Sequence, residues 1–156
     1  MTPAFLGNMD LLQQRKVAFF CSRQYAPKAV LASYDWATAQ RDKVVISTFH
    51  SPLEKDVLHF LLKNRQPVIY VLPARMYKRV PSYLQKALEE GLLLLISFQS
   101  DSVRMYSQTN ANQAIRYILD TANEIVFGYI APDSNNARLS ESLRASGQKK
   151  ISILVE

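Results

Sequence analysis

The stretch VVISTFHSPLEKDVLHFLL, Val44 to Leu62, decides how the chain is read. Val44, Val45 and Ile46 make an apolar, β-branched run that suits a strand buried on both faces. Leu53, Val57, Leu58 and Leu61 then recur at helical spacing and predict an amphipathic helix. A strand that turns directly into a helix is the junction at which α/β proteins hold phosphate, because the helix N-terminus offers free amides and a positive dipole end. This turn contains no glycine. Ser51, Pro52 and Glu54 instead form a capping box, with Ser51 at N-cap, Pro52 at N1 and Glu54 at N3. Such a box occupies the donors that an anion would need, and Glu54 places its own negative charge at the dipole. A self-capped helix is therefore favoured over a ligand-contacting acid.

The pattern repeats on both sides of this junction. Apolar runs at Lys16–Cys21, Lys43–Ser47, Pro67–Leu72, Leu92–Ser97, Glu124–Ile130 and Lys150–Val155 predict six strands. Helices are predicted between them. The first runs from Pro27 to about Arg41 and is expected to bury Val30, Leu31, Tyr34 and Ala37. The second runs from Pro52 to about Asn64. The third opens at Pro81 and is closed by Gly91 in a left-handed cap. The fourth covers Ser107 to Ala122, and the fifth is capped by Asp133 or Ser134 and ends at Gly147. Strands that alternate with helices and are apolar throughout indicate an α/β fold: a three-layer, doubly wound, mostly parallel sheet of about six strands. Residues 1–156 are expected to form a single domain, with residues 1–15 as a leading segment anchored by Leu11 and Leu12.

The 156 residues are 48% hydrophobic and 21% charged, and the single cysteine excludes an internal disulfide framework. With no signal-peptide pattern, and with apolar runs such as GLLLLIS too short to span a bilayer, the expectation is a soluble cytoplasmic protein with no membrane partner. A net charge of +6 favours polyanions, namely DNA, RNA or nucleotides, although the basic residues are dispersed.

Ligands of such sheets bind beyond the carboxyl ends of the strands. Ser22 and Arg23 follow the first predicted strand, where a guanidinium fork and a hydroxyl suit phosphate. Thr48, His50 and Ser51 follow the second. Cys21 and His50 raise the possibility of an activated thiolate, but no third orienting group or oxyanion turn accompanies them, and a small buried cysteine beside a loop histidine is the better reading. Arg75, Lys78 and Arg79 surround Tyr77 in the densest basic cluster, and Arg104 with Tyr106 extends that surface. Charge interleaved with aromatic rings suits single-stranded nucleic acid. Ser97, Asn110, Asn112, Ser134 and Asn135 complete the candidate pocket. Asn135 and Asn136 also read as helix-capping residues. His59 falls inside a helix and reads as structural. No residue set has metal-ligand spacing, and neither GxGxxG nor GxxxxGK[ST] occurs, so no metal and no cofactor is expected.

The succession LGNMDLL, KVAFFCSR, VVISTFHSPLE and PVIYVLPARMYKRVPSYLQKALEEGLLLLIS resembles the DprA/Smf family of DNA-processing proteins from Leu6 to about Leu154. The family's glycine-serine-arginine motif corresponds to Cys21, Ser22 and Arg23. Its second motif corresponds to Ser47, Thr48, Ser51, Pro52 and Glu54, without the glycines. Pro73 or Ala74 stands where a further glycine is usual. Ser97 matches a family serine, with Phe98 in place of an acid. Asn110 and Asn112 stand for an Arg-Asn pair, and Asp133 to Asn136 for the last glycine turn. The resemblance implies a Rossmann-like core without accessory domains and no enzymatic activity. It also implies single-stranded DNA binding, a homodimer and a RecA-type recombinase as partner. Two alternatives accompany it. One is a degenerate dimerisation or partner-docking module with a closed pocket. The other is a nucleotide or small-molecule sensor. A nucleotide hydrolase is the least favoured reading.

Overall fold

Apolar strands shielded on both faces require helices above and below them, and the computed structural model, which describes residues 3–103 and 105–156, has that arrangement. Its strands are β1 (Ala4–Gly7), β2 (Lys16–Phe20), β3 (Val44–Ser47), β4 (Val68–Arg75), β5 (Leu93–Gln99), β6 (Glu124–Tyr129) and β7 (Lys150–Val155). Its helices are α1 (Lys28–Thr38), α2 (Pro52–Lys63), α3 (Ser82–Glu89), α4 (Gln108–Thr121) and α5 (Asn135–Ser146). The sheet order is β1-β5-β4-β3-β2-β6-β7. Every pairing is parallel except β1 with β5. Side chains alternate across β2: Val17 and Phe19 join the core under α1, α2 and α3, whereas Ala18 and Phe20 join the core under α4 and α5. No helix among the described residues is long and apolar enough to cross a membrane.

The six predicted strands are present, and a seventh comes from the leading segment. Ala4–Gly7 is exposed at every residue, and its apolar run Ala4-Phe5-Leu6 is too short to mark a strand by itself. It is held by its backbone pairing to β5 and by the segment that follows, in which the Asn8 amide donates to the Leu93 carbonyl at 3.0 Å and the Asn8 side chain donates to the Gly91 carbonyl at 2.8 Å. A 3₁₀ turn at Met9–Gln13 then buries Leu11. Helix α1 also differs from expectation: it buries Ala29, Ser33 and Ala37, while Leu31 is 66% exposed. Its small residues let it approach the sheet closely at Gly128, where a Cβ would lie 2.9 Å from the Ser33 hydroxyl and 3.1 Å from the Phe19 ring. Packing distance, rather than hydrophobicity, selects the buried face.

The glycine at the end of β1 is set by sterics. Gly7 has φ +117°, and a Cβ there would lie 2.2 Å from the Leu93 carbonyl oxygen. Gly147, the left-handed cap of α5 at φ 61°, has nothing within 4 Å. Gly7→Ala is therefore expected to cost on the order of 3 kcal/mol or to release β1, whereas Gly147→Ala should cost only about 1 kcal/mol. Urea unfolding midpoints measure both, and similar midpoints would contradict this account.

Candidate functional site

Strand order reverses at β2: the chain proceeds to β3 on one side and returns to β6 on the other. In doubly wound sheets the crevice beyond the carboxyl ends at that point is the binding site. Three connections meet there: residues 21–27 after β2, 48–51 after β3 and 130–134 after β6.

The residue that organises them is Glu54, in the first turn of α2. Its side chain is buried, and its carboxylate accepts from the Cys21 amide at 2.9 Å, the His50 amide at 2.9 Å and the Ser51 amide at 3.3 Å. Burial pushes the Glu54 carboxyl above its ordinary pKa, and the three amides oppose that shift. The capping box expected from Ser51-Pro52-Leu53-Glu54 is present, but its two halves are unequal. Ser51 faces the Glu54 amide, yet its hydroxyl oxygen is buried without a well-formed hydrogen bond among the described residues, so the Glu54 half carries the box. The anion site at this helix end is thus filled from within.

The turn before α2 stays free of glycine by an unusual route. Phe49 adopts φ 45°, a left-handed conformation costing about 1–2 kcal/mol for a residue with a side chain. Its ring is completely buried and meets Tyr70 edge-on at a centroid distance of 5.4 Å, and its amide donates to the Ser47 hydroxyl at 3.0 Å. Burying a phenylalanine contributes about 1.5–3 kcal/mol, enough to offset the strain. Phe49 therefore points into the core and does not block the crevice.

The crevice is open, with a volume of about 670 Å³. It is lined by Cys21, Ser22, Arg23, Thr48, His50, Ser51, Ser134 and Asn135, all expected from the sequence, and also by Tyr106, Gln108 and Asn136. The closed pocket of the docking-module alternative is not what the fold contains. Ser22 joins the β2 and β6 connections: its amide donates to the Tyr129 carbonyl at 3.0 Å, and its hydroxyl accepts from the Ala131 amide at 2.9 Å. The Ser134 hydroxyl caps α5 by accepting from the Ala137 amide at 3.1 Å and donates to the Ala131 carbonyl at 2.7 Å. These hydroxyls are committed to structure. Arg23 is exposed at the rim. His50 stacks on Tyr106 with ring centroids 3.8 Å apart and planes 4° apart. Burial, and then the positive charges of Lys55 and Arg23, lower the His50 pKa, so the stacked imidazole is neutral at neutral pH.

Cys21 is not an activated nucleophile. Burial first, and the Glu54 carboxylate second, push its thiol up to about 12.

Other expected residues lie away from the crevice. The Ser97 hydroxyl donates to the Ala74 carbonyl at 2.5 Å and accepts from the Gln99 amide at 3.2 Å, which secures the register shift between β4 and β5. The Asn110 amide donates to the Ser107 hydroxyl at 3.1 Å within the first turn of α4, and Asn112 accepts from the Gln108 side chain at 2.9 Å on an exposed face. Neither lines the crevice: Asn110 lies in the capped first turn of α4, and Asn112 is paired with Gln108 one turn along the helix. Arg75 is tied to the β5–α4 connection, its guanidinium donating to the Asp101 carbonyl at 3.1 Å. Lys78 and Arg79 are exposed on the same strand-end edge, beyond the crevice, while Tyr77 packs against the core. Arg104 lies outside the described residues. No group of three or more His, Cys, Asp or Glu side chains among the described residues is placed to hold a metal.

The sequence places Tyr106 on the basic-loop surface. Its role as a wall of the crevice is not legible there, because it reaches His50 across more than fifty intervening residues.

A doubly wound sheet with an added antiparallel edge strand and a switch-point crevice defines an extended Rossmann-like class. No family model and no curated protein sequence matches the chain. Among solved structures it is similar to DNA processing protein A (DprA) from Streptococcus pneumoniae, with a TM-score of 0.79 and 16% identity over 97% of this chain and 54% of that one. It is also similar to DprA from Helicobacter pylori, whose structure is described in terms of a single-stranded DNA binding mode, with a TM-score of 0.75 and 18% identity over 99% of this chain and 72% of that one. The fold is DprA-like. The chain spans about half the length of the pneumococcal protein.

Two outcomes follow from Glu54 and Cys21. Glu54→Ala leaves three amides, two of them buried, without an acceptor and is expected to cost on the order of 3 kcal/mol, at about 1 kcal/mol or more per donor. Glu54→Gln keeps one acceptor oxygen and should fall between Glu54→Ala and the parent, as read by denaturant titration. Cys21 should resist a chromogenic disulfide reagent at pH 9 in the folded protein and react at once in denaturant; rapid labelling of the folded state would contradict the burial argument.

Proposed function

We propose that the chain is a non-catalytic, DprA-like domain that binds single-stranded DNA along the carboxyl edge of its sheet. The observation that carries this reading is the crevice itself. It is open at the strand-order switch, has an aromatic wall and an exposed guanidinium, Arg23, at its rim, and belongs to a chain of net charge +6. The similarity in fold to the Helicobacter pylori DprA, described with a single-stranded DNA binding mode, supports the same reading. Arg23 is assigned to the phosphates within the crevice region. Lys78 and Arg79, with Arg75 fixed by Asp101, extend the positive edge along the strand ends for phosphates further along the strand. Residues 1–156 act as one domain in this reading. A homodimer and a RecA-type recombinase partner belong to it through the family resemblance.

Fluorescence anisotropy with a labelled single-stranded oligonucleotide across a salt series tests the proposal. Affinity is expected to fall steeply as salt rises, because phosphate binding releases counterions. Arg23→Ala should weaken binding and lower the salt slope by about 0.7, the value for one phosphate of a single strand. A Lys78→Ala/Arg79→Ala double variant should lower the slope further without affecting folding, since both residues are exposed. Absent or salt-indifferent binding would overturn the proposal.

A further inference from the structure

Helices α2 and α3 close in the same way, each in a Schellman motif. In α2 the Arg65 amide donates to the Leu62 carbonyl at 3.1 Å and the Gln66 amide to the Leu61 carbonyl at 3.0 Å. In α3 the Gly91 amide donates to the Leu88 carbonyl at 3.2 Å and the Leu92 amide to the Ala87 carbonyl at 2.9 Å. The motif needs one left-handed residue. In α3 it is Gly91, at φ 74°; in α2 it is Arg65, at φ 55°. Glycine closes such a turn without strain, so the turn itself does not account for the arginine side chain.

That side chain lines a second cavity, of about 400 Å³, between α2 and α3 at the amino ends of β4 and β5. The crevice lies at the opposite edge of the sheet. Leu62, Ala87 and Leu92 belong to the core or pack against it and give this cavity an apolar base. Lys63, Arg65 and Lys86 surround it, against a single carboxylate. That carboxylate, Glu90, pairs with Arg65 and lies 4.0 Å from the Lys86 ammonium. Lys63 forms no ion pair among the described residues. Complementing the helix dipoles accounts for Lys63 and Lys86, but not for a strained Arg65. Gln66 lines the same cavity and is 2% exposed; its Nε2 donates to the Ala37 carbonyl at 2.8 Å, and its Oε1 has no partner among the described residues.

The cavity thus joins three cations, an apolar base and an unpaired acceptor. A peptide supplies the complement of each: carboxylates, an apolar side chain and backbone N–H donors. A nucleic-acid strand fits less well. Glu90 repels a continuous run of phosphates, and the His59 and Tyr83 rings, with centroids 5.0 Å apart and planes 42° apart, form no flat platform for a base.

We propose that this cavity docks an acidic segment of a partner protein and that Arg65 is the residue that selects it. One apolar side chain of the segment fills the space over Leu62, Ala87 and Leu92. Carboxylates beside it take Lys63, Lys86 and the guanidinium donors of Arg65 that Glu90 leaves unused. The crevice at the opposite edge stays open while the segment is bound.

Random peptides displayed on phage test this, selected against the full chain with excess oligothymidylate present to cover the crevice. Selected sequences are expected to carry Asp or Glu flanking Leu, Ile or Phe. In anisotropy titrations with the tightest selected peptide, fluorescein-labelled, Arg65→Gly should weaken binding about tenfold, as for an arginine anchor. Glycine suits the left-handed turn, so this variant keeps the fold, which its melting temperature verifies. A Lys63→Ala/Lys86→Ala double variant should weaken binding as well, and Glu90→Gln should tighten it by removing the internal competitor. Arg23→Ala should leave it unchanged. A selection without acidic sequences, or peptide binding that survives both Arg65→Gly and the lysine double variant, would overturn the proposal. Oligothymidylate binding weakened by Arg65→Gly would assign the cavity to nucleic acid and overturn it too.

Discussion

The carboxylate of Glu54 is the interaction on which the carboxyl edge of this sheet depends. One buried side chain from α2 gathers amides from the connection after β2 and from the turn after β3. Those two connections belong to neighbouring parallel strands, and nothing in the β2–β3 pairing itself, which runs from Lys16 with Val44 to Ala18 with Ile46, extends to them. Backbone donors that a phosphate would satisfy in other strand–turn–helix junctions are satisfied by the protein's own carboxyl group, so the edge is ordered before any ligand arrives. Its burial also explains the inert thiol beside it: Cys21 sits in the same desolvated environment and next to the same negative charge.

The shape of the crevice follows from how the glycine-free turn is accommodated. Phe49 takes a left-handed backbone conformation and turns its ring into the core, where it packs on Tyr70. That inward turn leaves Thr48 and His50 to line the opening, and His50 receives Tyr106 from the distant β5–α4 connection. On the far side, Ser22 and Ser134 both bind the Ala131 backbone and fix the distance between the β2 and β6 connections. The walls are thus set by short polar contacts and one aromatic stack, and the cation at the rim, Arg23, is left exposed.

Much of this was legible in the residues. The six parallel strands and five helices follow from apolar runs alternating with helical spacing. Ser134 as one of two candidate N-caps of α5, Gly91 as a left-handed cap, and Ser51 with Glu54 as a capping box follow from local chemistry. Local rules succeed there because each cap is completed within four residues. They failed for β1, a four-residue segment defined by pairing to a strand some ninety residues away. They failed for the buried face of α1, because Leu31 is more hydrophobic than Ser33 but only a small side chain fits above Gly128. Ser97, Asn110 and Asn112 resemble pocket residues by their position after a strand or at a helix start, whereas Ser97 bonds across to the Ala74 carbonyl and Asn110 and Asn112 sit in the first turns of α4 away from the crevice.

The sequence by itself determined the layering, the order of elements and the fact that the α2 N-terminus would carry its own negative charge, since periodicity and a four-residue box are properties of neighbouring residues. Only the tertiary structure decided what that charge holds. Glu54 reaches Cys21 across thirty-three positions, and Tyr106 meets His50 across more than fifty, so neither contact leaves a trace in local spacing. Whether the glycine-poor turn closed its crevice or left it open likewise depended on where the Phe49 ring could be buried. That was settled by the space available beside Tyr70, which the fold creates by bringing β3 and β4 together.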